Sequence, residues 1–293
     1  MTHITICTTA GKWLEMKTAV VSIQRNRARW LTEWLSFHHS VGFDKFFLYL
    51  HKCTDDSAQM ASKLGNFFDI SIFEVPSDSH APQLLAYKHC YENFGNDYDW
   101  LAFIDGDEFI FSTYSLNIKN SLAVYQRLNL DAIGVYWSCF GSSGHISEPE
   151  GLITDNYRFR PELNFSANSH IKSVVRGGLG NKFRILSNSH YFDTPRGTYD
   201  SSLRPITAGL TDNYPAYDHF RINHYVVQSR EYYLNSKKYS GAADAGQNAV
   251  REESWWLTHD RNEVFDNSLL FIREELLKTI WASNLPMPNI LNS

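Results

Sequence analysis

Residues 100–108 read WLAFIDGDE, an apolar segment that runs directly into an acidic turn. The segment from Trp100 to Asp105 predicts a buried strand, and Gly106 lets the chain bend and leaves room for a ligand beside it. Clustered carboxylates at a strand end repel one another unless a cation joins them, and oxygen ligands suit Mg²⁺ or Mn²⁺. Asp105 and Asp107 therefore predict a divalent-metal site. The alternative is a solvated turn in which Glu108 caps a helix.

Strand and helix patterns alternate on both sides of this turn. We predict strands at residues 19–23, 45–50, 70–75 and 132–137, and helices at 30–39, 55–64 and 83–94. This order predicts an α/β fold with one mostly parallel sheet, right-handed crossovers and flanking helices. Ligands of such sheets bind beyond the carboxyl ends of the strands.

The second half of the chain is less regular. It predicts loops at residues 141–151 and 176–181, a strand at 225–227, and helices at 230–239 and 266–281. Neither a repeat nor a convincing linker interrupts the sequence, so we expect one domain over residues 1–293.

The composition excludes several classes of protein. With 27 Lys+Arg against 32 Asp+Glu in 293 residues, the net charge of −5 argues against a nucleic-acid partner. The cysteines, Cys7, Cys53, Cys90 and Cys139, lack zinc-site spacing and fit a reducing compartment. The sequence has no secretory-signal pattern and no apolar run long enough to span a bilayer, so we expect a cytoplasmic protein.

Several segments match one known family in order. They are WLAFIDGDEF, Asn26 with Glu33-Trp34, residues 49–57 (YLHKCTDDS), 83–90 (QLLAYKHC), 137–145 (WSCFGSSGH), Lys172-Ser173, and His224-Tyr225 with Ser229 and Lys237. Together they resemble GT-A-fold glycosyltransferases, specifically family 92 and its bacterial family-2-like relatives. The resemblance implies a GT-A fold with a nucleotide-sugar half at about residues 17–137 and an acceptor half at about 138–293.

The sequence departs from the family pattern at three places. Arg27 stands where the family usually has a glutamate, Gln228 replaces a lysine, and His51-Lys52 replaces an acid and an asparagine. These departures bear on the nucleotide contacts and on the identity of the sugar.

The resemblance implies a metal site for Mn²⁺ or Mg²⁺. In this family pattern Asp107 binds the metal, Asp105 contacts the metal or the ribose, and His224 completes the coordination. Imidazole is a suitable ligand for Mn²⁺. The alternative for His224 is a hydrogen-bonded histidine of the core.

The resemblance also implies nucleotide-sugar contacts at the ends of the first two strands. Gln24, Arg25 and Asp55 are the candidates there, although Asp55 is equally suited to cap the following helix. Gln83 matches the family pattern but also fits a helix start. Lys172 and Arg176 are candidates to neutralise phosphate, against the alternative of ordinary solvated charges.

A general base is the least determined role. An inverting transferase needs a carboxylate near the acceptor hydroxyl. Asp155 aligns with a family acidic position and is our choice, with Glu148 as the alternative; the other candidates are Glu150, Asp244 and Asp260. A further match to a family pattern, Asp260, Asn262 and Asp266, we interpret as helix-start chemistry.

The aromatic share of 15% has two explanations. Most aromatic residues fall on predicted strands and helix faces and predict core packing. The remainder is placed near the acceptor by the resemblance: Tyr136, Trp137, Phe140, Trp255 and Trp256. Sugar faces stack on such rings, and since neighbouring Trp255 and Trp256 cannot both point the same way from a helix, we expect one to face the acceptor.

The sequence therefore predicts a metal-dependent inverting glycosyltransferase. Its donor would be a nucleotide-diphosphate sugar, with UDP-galactose the first to test, and its acceptor a glycan or lipid-linked glycan of polysaccharide or lipopolysaccharide synthesis. A lipid-linked acceptor would bring a peripheral membrane contact, although no basic amphipathic helix supports one. The alternatives are a sugar-1-phosphate nucleotidyltransferase, whose glycine-rich loop is absent from QRNRARW, and a non-catalytic sugar-binding module, against which the acidic turn argues.

Overall fold

The computed structural model describes residues 16–185, 188–240 and 250–283. Within these ranges, no helix has both the length and the apolar character needed to cross a membrane. The longest helices have 13 residues.

Fourteen strands and eight α-helices make up the described chain. The strands are β1 (Thr18–Gln24), β2 (Lys45–Leu50), β3 (Asp69–Glu74), β4 (Trp100–Phe103), β5 (Glu108–Ser112), β6 (Ala132–Cys139), β7 (Phe159–Arg160), β8 (Ile171–Arg176), β9 (Arg184–Ile185), β10 (Phe192–Asp193), β11 (Thr198–Tyr199), β12 (Pro205–Ile206), β13 (Phe220–His224) and β14 (Val264–Phe265). The helices are α1 (Ala28–Ser40), α2 (Ser57–Leu64), α3 (Pro82–Phe94), α4 (Ile118–Arg127), α5 (Ile153–Asn156), α6 (Arg230–Asn235), α7 (Glu253–His259) and α8 (Leu270–Ala282). Short 3₁₀ turns lie at Ser166–Ser169, Gly180–Lys182 and Lys237–Tyr239.

One large, mostly parallel sheet organises the molecule, in the order β12-β11-β6-β8-β4-β1-β2-β3. Strands β4, β1, β2 and β3 are parallel, as the alternating pattern predicts. Strand β8 lies antiparallel between β4 and β6, so β6 is not the direct neighbour of β4. Strand β13 pairs parallel with β6 and antiparallel with β5, which extends the sheet on this side.

Helices cover both faces of the parallel strands. Along β1, Val20 packs into one hydrophobic cluster, while Ala19 and Val21 pack into the cluster on the opposite face. All seven residues of β1 are buried, including Thr18, Ser22 and Gln24, which fits a strand covered on both faces, whose sequence need not alternate. Trp34 of α1 lies in the first cluster, and its indole nitrogen donates to the carbonyl of Glu108, so α1 is tied to the acidic turn.

The predicted fold class is confirmed: the protein is an α/β structure with a large, mostly parallel sheet flanked by helices. The strand predicted at residues 225–227 is wrong, because the strand there is β13 and ends at His224. Strands β5 and β8 and helix α4 were not predicted. The helix predicted at 230–239 is shorter, ending at Asn235 before a separate 3₁₀ turn.

A buried carboxylate joins α1 to the second half of the chain. Both oxygens of Glu33 accept hydrogen bonds at the start of α5, from the backbone of Ile153 at 2.7 Å and from the backbone and hydroxyl of Thr154 at 3.0 and 2.8 Å. Burial raises the pKa of Glu33 to about 7, and the hydrogen bonds only partly oppose this. Glu33 thus links two predicted halves at an electrostatic cost.

We expect Glu33→Gln to weaken the pH dependence of stability. A carboxyl whose folded pKa lies above its unfolded value stabilises the fold below the unfolded pKa and loses that contribution as the pH rises through the folded pKa. From the usual value of 4.5 to about 7, the Glu33 contribution should fall by about 3 kcal/mol. Urea unfolding between pH 5 and pH 8 measures this. Glu92→Gln, at an exposed position on α3, is the control; a constant difference between wild type and Glu33→Gln over this range would contradict the prediction.

Candidate functional site

A cavity of about 420 Å³ opens at the carboxyl ends of β1, β2 and β4. The acidic turn forms part of its wall. The charged and imidazole side chains lining it are Arg25, Arg27, Lys52, Asp105, Asp107, Lys237, Arg251, His51, His170, His190, His224 and His259. Among the described lining residues, Asp105 and Asp107 are the only carboxylates, so basic groups outnumber acidic ones around the cavity.

Asp105 is held by three neighbours on one side of the turn. Its Oδ1 accepts from Gln83 at 2.5 Å and from the Tyr87 hydroxyl at 3.4 Å, and its Oδ2 lies 2.9 Å from the Lys172 ammonium. Burial by itself would raise the pKa of Asp105, but the charge and hydrogen bond of Lys172, with a smaller contribution from His190, together lower it. Lys172 is buried on β8, opposite Val135 of β6. It therefore influences the charge at the cavity through Asp105.

The turn is closed by Glu108 and fitted against β1. The Glu108 side chain accepts from the backbone N–H of Asp105 at 2.8 Å and is fully buried at the start of β5. Burial raises its pKa well above the usual value. Because Glu108 begins a buried strand, the alternative of a solvated turn in which Glu108 caps a helix is wrong. A Cβ on Gly106 would lie 3.0 Å from the Gln24 side chain, so glycine here makes room for Gln24.

Asp107 and His224 meet because of strand register. His224 is the last residue of β13, where it pairs with Glu108 of β5 and with Cys139 of β6. This pairing brings His224 Nε2 to 3.6 Å from Asp107 Oδ1. Burial lowers the pKa of His224, which favours the neutral imidazole that a metal needs.

Three cations surround Asp107. Lys237 donates to Asp107 Oδ2 at 2.8 Å. Arg27 donates to the Gly106 carbonyl at 2.8 Å, and Arg251 donates to the Lys237 carbonyl at 2.8 Å. Burial alone would raise the pKa of Asp107, but Lys237 and His224 hold it well below the usual range. Asp105 and Asp107 therefore both have lowered pKa values, and Asp107 lies among positive charges.

The predicted nucleotide-sugar residues divide into two groups. Gln24, Arg25 and Gln83 line the cavity. Asp55 does not: it accepts from the backbone of Ser57 at 3.0 Å and of Ala28 at 3.0 Å, so it caps α2 and tethers the start of α1. Arg176 lies at the far end of β8 and donates to Asn129, away from the cavity.

The structure does not bring the proposed bases to the cavity. Asp155 is engaged by Arg273 at 2.8 Å and by Arg158 at 3.0 Å. Glu148 accepts from the hydroxyls of Tyr157 and Ser229. Because both carboxylates are already committed outside the cavity, we no longer propose either as the base.

The remaining base candidates also lie elsewhere or outside the described residues. Glu150 is exposed and 3.7 Å from Arg29. Asp260 accepts from the backbone of Ser142, and Asn262 from that of Ser143, so these residues clamp the 141–151 loop rather than start a helix. Asp244 lies outside the described residues.

Of the candidate acceptor aromatics, Trp137 and Trp255 line the cavity. Trp137 stacks on His170 and contacts His224, with ring centroids 4.8 and 4.2 Å away, and Trp255 stacks on His259 at 4.2 Å. Trp256 packs inward against Tyr233, as expected for one of two neighbouring tryptophans. Tyr136 and Phe140 are buried in the core.

A divalent cation fits part of the predicted ligand set. Asp107 Oδ1 and His224 Nε2 face each other at a separation that one ion can bridge, whereas the Asp105 carboxylate is turned toward Lys172. Among the described residues, no group of three or more His, Cys, Asp and Glu side chains is arranged to hold a metal. Two protein ligands are nevertheless enough for Mg²⁺ or Mn²⁺ when substrate phosphates supply the others. Asp107 and His224 are thus the metal-ligand pair that the geometry supports.

Several cavity residues were not predicted. Arg27, Arg251, Tyr232 and His190 line the cavity without a role in the sequence analysis, and Lys237 entered only as part of a family match. Arg27 could have been found from its place just after β1, at the carboxyl edge of the sheet. No local pattern marks Arg251 or His190.

Comparison with known proteins identifies one family. Residues 18–260 match the family model for Glycosyltransferase family 92. A glycosyltransferase family 92 protein of Oryza sativa subsp. japonica is 23% identical over 289 residues, covering 91% of this chain and 46% of that protein. One of Ricinus communis is 27% identical over 247 residues, covering 80% and 43%. The chain thus spans less than half the length of these curated relatives.

Two solved structures resemble part of the chain with low TM-scores. Staphylococcus aureus TarS 1–349 in complex with UDP aligns with a TM-score of 0.38 and 16% identity over 55% of this chain and 47% of that one. HddC from Yersinia pseudotuberculosis aligns with a TM-score of 0.35 and 12% identity over 77% of this chain and 100% of that one. Scores this low carry no argument, so the assignment rests on the sequence family. Because the family model covers most of its length, the chain belongs to glycosyltransferase family 92.

Proposed function

We propose that this protein is an inverting glycosyltransferase that takes its sugar from a nucleotide-diphosphate donor with the help of a divalent cation. The observation that carries the proposal is the cavity at the carboxyl edge of the sheet, where Asp107 and His224 face each other among basic side chains. Membership of glycosyltransferase family 92 supports the reaction class.

The basic residues suit a diphosphate leaving group. A nucleoside diphosphate carries negative charge that grows on the leaving oxygen as the bond to the sugar breaks. Lys237 and Arg251 lie beside Asp107, and Arg27 is buried against the turn, so all three can face that charge. When bound by Asp107 and His224, Mn²⁺ or Mg²⁺ would add Lewis-acid stabilisation of the same charge.

The reaction is one displacement at the anomeric carbon. The acceptor hydroxyl oxygen forms the new bond to that carbon and gives up its proton, while the bond to the diphosphate oxygen breaks and its electrons leave with the diphosphate. Trp137 and Trp255 offer ring faces on the cavity wall for sugar C–H groups.

The donor and acceptor remain predictions from the resemblance. UDP-galactose is the first donor to test, and a polysaccharide or lipopolysaccharide glycan is the predicted acceptor class. The nucleotidyltransferase alternative gains no support, since a basic glycine-rich loop is absent after β1 and Arg27 follows Asn26 there.

We expect nucleotide release from UDP-sugars to require Mn²⁺ or Mg²⁺. The experiment incubates the purified chain with a panel of UDP- and GDP-sugars, with Mn²⁺ or with EDTA, and measures free nucleoside diphosphate. Release with one donor that EDTA suppresses by about 10-fold or more supports the proposal. Release that EDTA leaves unchanged would contradict the requirement for a divalent cation. Pyrophosphate formation from UTP and a sugar-1-phosphate would identify a nucleotidyltransferase instead.

A further inference from the structure

Lys237 neutralises Asp107, the carboxylate that a metal ion would need. Its ammonium is 2.8 Å from Asp107 Oδ2, and only 15% of the Lys237 side chain and 12% of the Asp107 side chain are exposed. No other carboxylate among the described residues forms an ion pair with Lys237. The metal-ligand pair therefore already carries a cation that belongs to the protein.

This cation and a metal ion would compete for one carboxylate. Asp107 divides its two oxygens, Oδ2 toward Lys237 and Oδ1 toward His224 at 3.6 Å. A divalent cation bound between Oδ1 and His224 would lie a few ångströms from the ammonium. Repulsion between two positive charges is strong at that distance in a half-enclosed site, so one must withdraw as the other binds.

Lys237 is placed so that it can withdraw. It begins the 3₁₀ turn Lys237–Tyr239, and its main chain is fixed by Arg251, which donates to its carbonyl. The four-carbon side chain stays flexible and lines the same cavity. A diphosphate in that cavity would offer the ammonium a new partner while leaving Asp107 to the metal.

We propose that Lys237 is a resident counter-cation that leaves Asp107 for the donor diphosphate when donor and metal bind. Metal alone must displace Lys237 into water, whereas metal with nucleotide displaces it onto phosphate. Each ligand therefore strengthens the binding of the other, by the same factor in both directions. This inference rests on the proposed function, because it needs a diphosphate donor and a divalent cation.

The test is the binding of Mn²⁺ and of UDP to wild type and to Lys237→Met. Titration of Mn²⁺, followed by the electron paramagnetic resonance signal of the free ion, gives its Kd with and without UDP; calorimetry gives the Kd of UDP with and without Mn²⁺. We expect Lys237→Met to bind Mn²⁺ alone about 10-fold more tightly and UDP about 10-fold more weakly. The factor by which UDP improves Mn²⁺ binding should shrink accordingly.

Lys238→Met is the matched control. The neighbouring Lys238 ammonium lies 5.8 Å from the Tyr239 ring and does not line the cavity, so both Kd values should stay those of wild type. Lys237→Arg keeps the positive charge and should keep Mn²⁺ binding weak in the absence of UDP. A general structural defect would instead weaken the binding of both ligands together.

The outcomes separate this inference from the proposed function. If Lys237→Met binds Mn²⁺ alone no more tightly than wild type does, Lys237 is not the competing cation and the inference is wrong, whether or not wild type transfers sugar. If wild type binds Mn²⁺ and UDP independently, the coupling is absent and the inference is equally wrong. If wild type binds no Mn²⁺ even with UDP, both this inference and the proposed use of a divalent cation in the reaction are wrong.

Discussion

Asp107→Asn should reduce the kcat/KM of sugar transfer by about 100-fold or more. Asparagine keeps the size of the side chain but removes the charge that faces both His224 and Lys237. The site then loses the carboxylate that we propose as a metal ligand, and the Lys237 ammonium loses its ion-pair partner. Initial rates of UDP release at several donor concentrations measure the loss, with the donor identified in the panel.

The fold should survive this change, because Lys237 can turn into the cavity and its water when Asp107 is neutral. Far-ultraviolet circular dichroism and thermal unfolding check that point. The matched control is Asp97→Asn, an exposed aspartate just before β4, which should transfer sugar at the wild-type rate. If Asp107→Asn retained more than about a tenth of the wild-type kcat/KM, the role assigned to the acidic turn would have to be abandoned.

Lys172→Met should lower the free energy of unfolding by about 3–5 kcal/mol at pH 7. The Lys172 side chain is 1% exposed and cannot reach water, unlike Lys237. Methionine fills a similar volume but leaves the Asp105 carboxylate without its 2.9 Å ion-pair partner, and Glu108 remains buried nearby. Urea unfolding at pH 7 measures the difference.

The pH dependence of this difference follows from Asp105. Because its folded pKa is lowered, its ionised form contributes stability above the usual aspartate pKa of 3.8, and that contribution is lost as the pH falls through the lowered value. Without Lys172, burial is expected to raise the pKa of Asp105, so the variant should gain stability as the pH falls from 7 to 5, a range in which the Asp105 contribution in wild type stays constant. The difference in unfolding free energy between wild type and Lys172→Met should therefore be smaller at pH 5 than at pH 7. Lys88→Met, which breaks an exposed 3.8 Å pair with Glu92, should change stability little at either pH; an equally small effect of Lys172→Met would refute the buried-pair argument.

The parallel part of the sheet was predictable because its signals are local. Strand β2 was predicted at its observed bounds, and β1, β3 and α3 within one or two residues, since each is a short apolar or periodic run ended by a turn. Strand β5 was missed because it adds only a short apolar run, residues 109–111, directly after the acidic turn. The strand predicted at residues 225–227 is wrong for another reason. YVV has the stronger strand propensity, but Phe220–His224 occupies the pairing positions beside β5 and β6.

The candidate site likewise contains residues that the sequence could place and residues that it could not. The acidic turn, Gln24, Arg25 and Gln83 follow predicted elements directly, so the parallel order of the strands alone places them at one edge. Asp155 was chosen by its position in the family pattern and Glu148 as an alternative after the 141–151 loop, and neither choice takes account of the arginines and hydroxyls that bind these carboxylates. A carboxylate suited to catalysis cannot be told from one committed to an ion pair until its neighbours are known.

The sequence by itself determined the fold class, the family and the acidic turn at the end of a buried strand. Each depends on patterns a few residues long, or on motifs kept in order along the chain. Only the tertiary structure decided which groups surround the turn: Lys172 arrives on an antiparallel strand, His224 through the register of β13, and Lys237 from the turn after α6. Lys172 and Asp105 are 67 positions apart in the sequence, and Lys237 and Asp107 are 130 apart. Strand pairing and core packing fix such distances, and no local pattern records them.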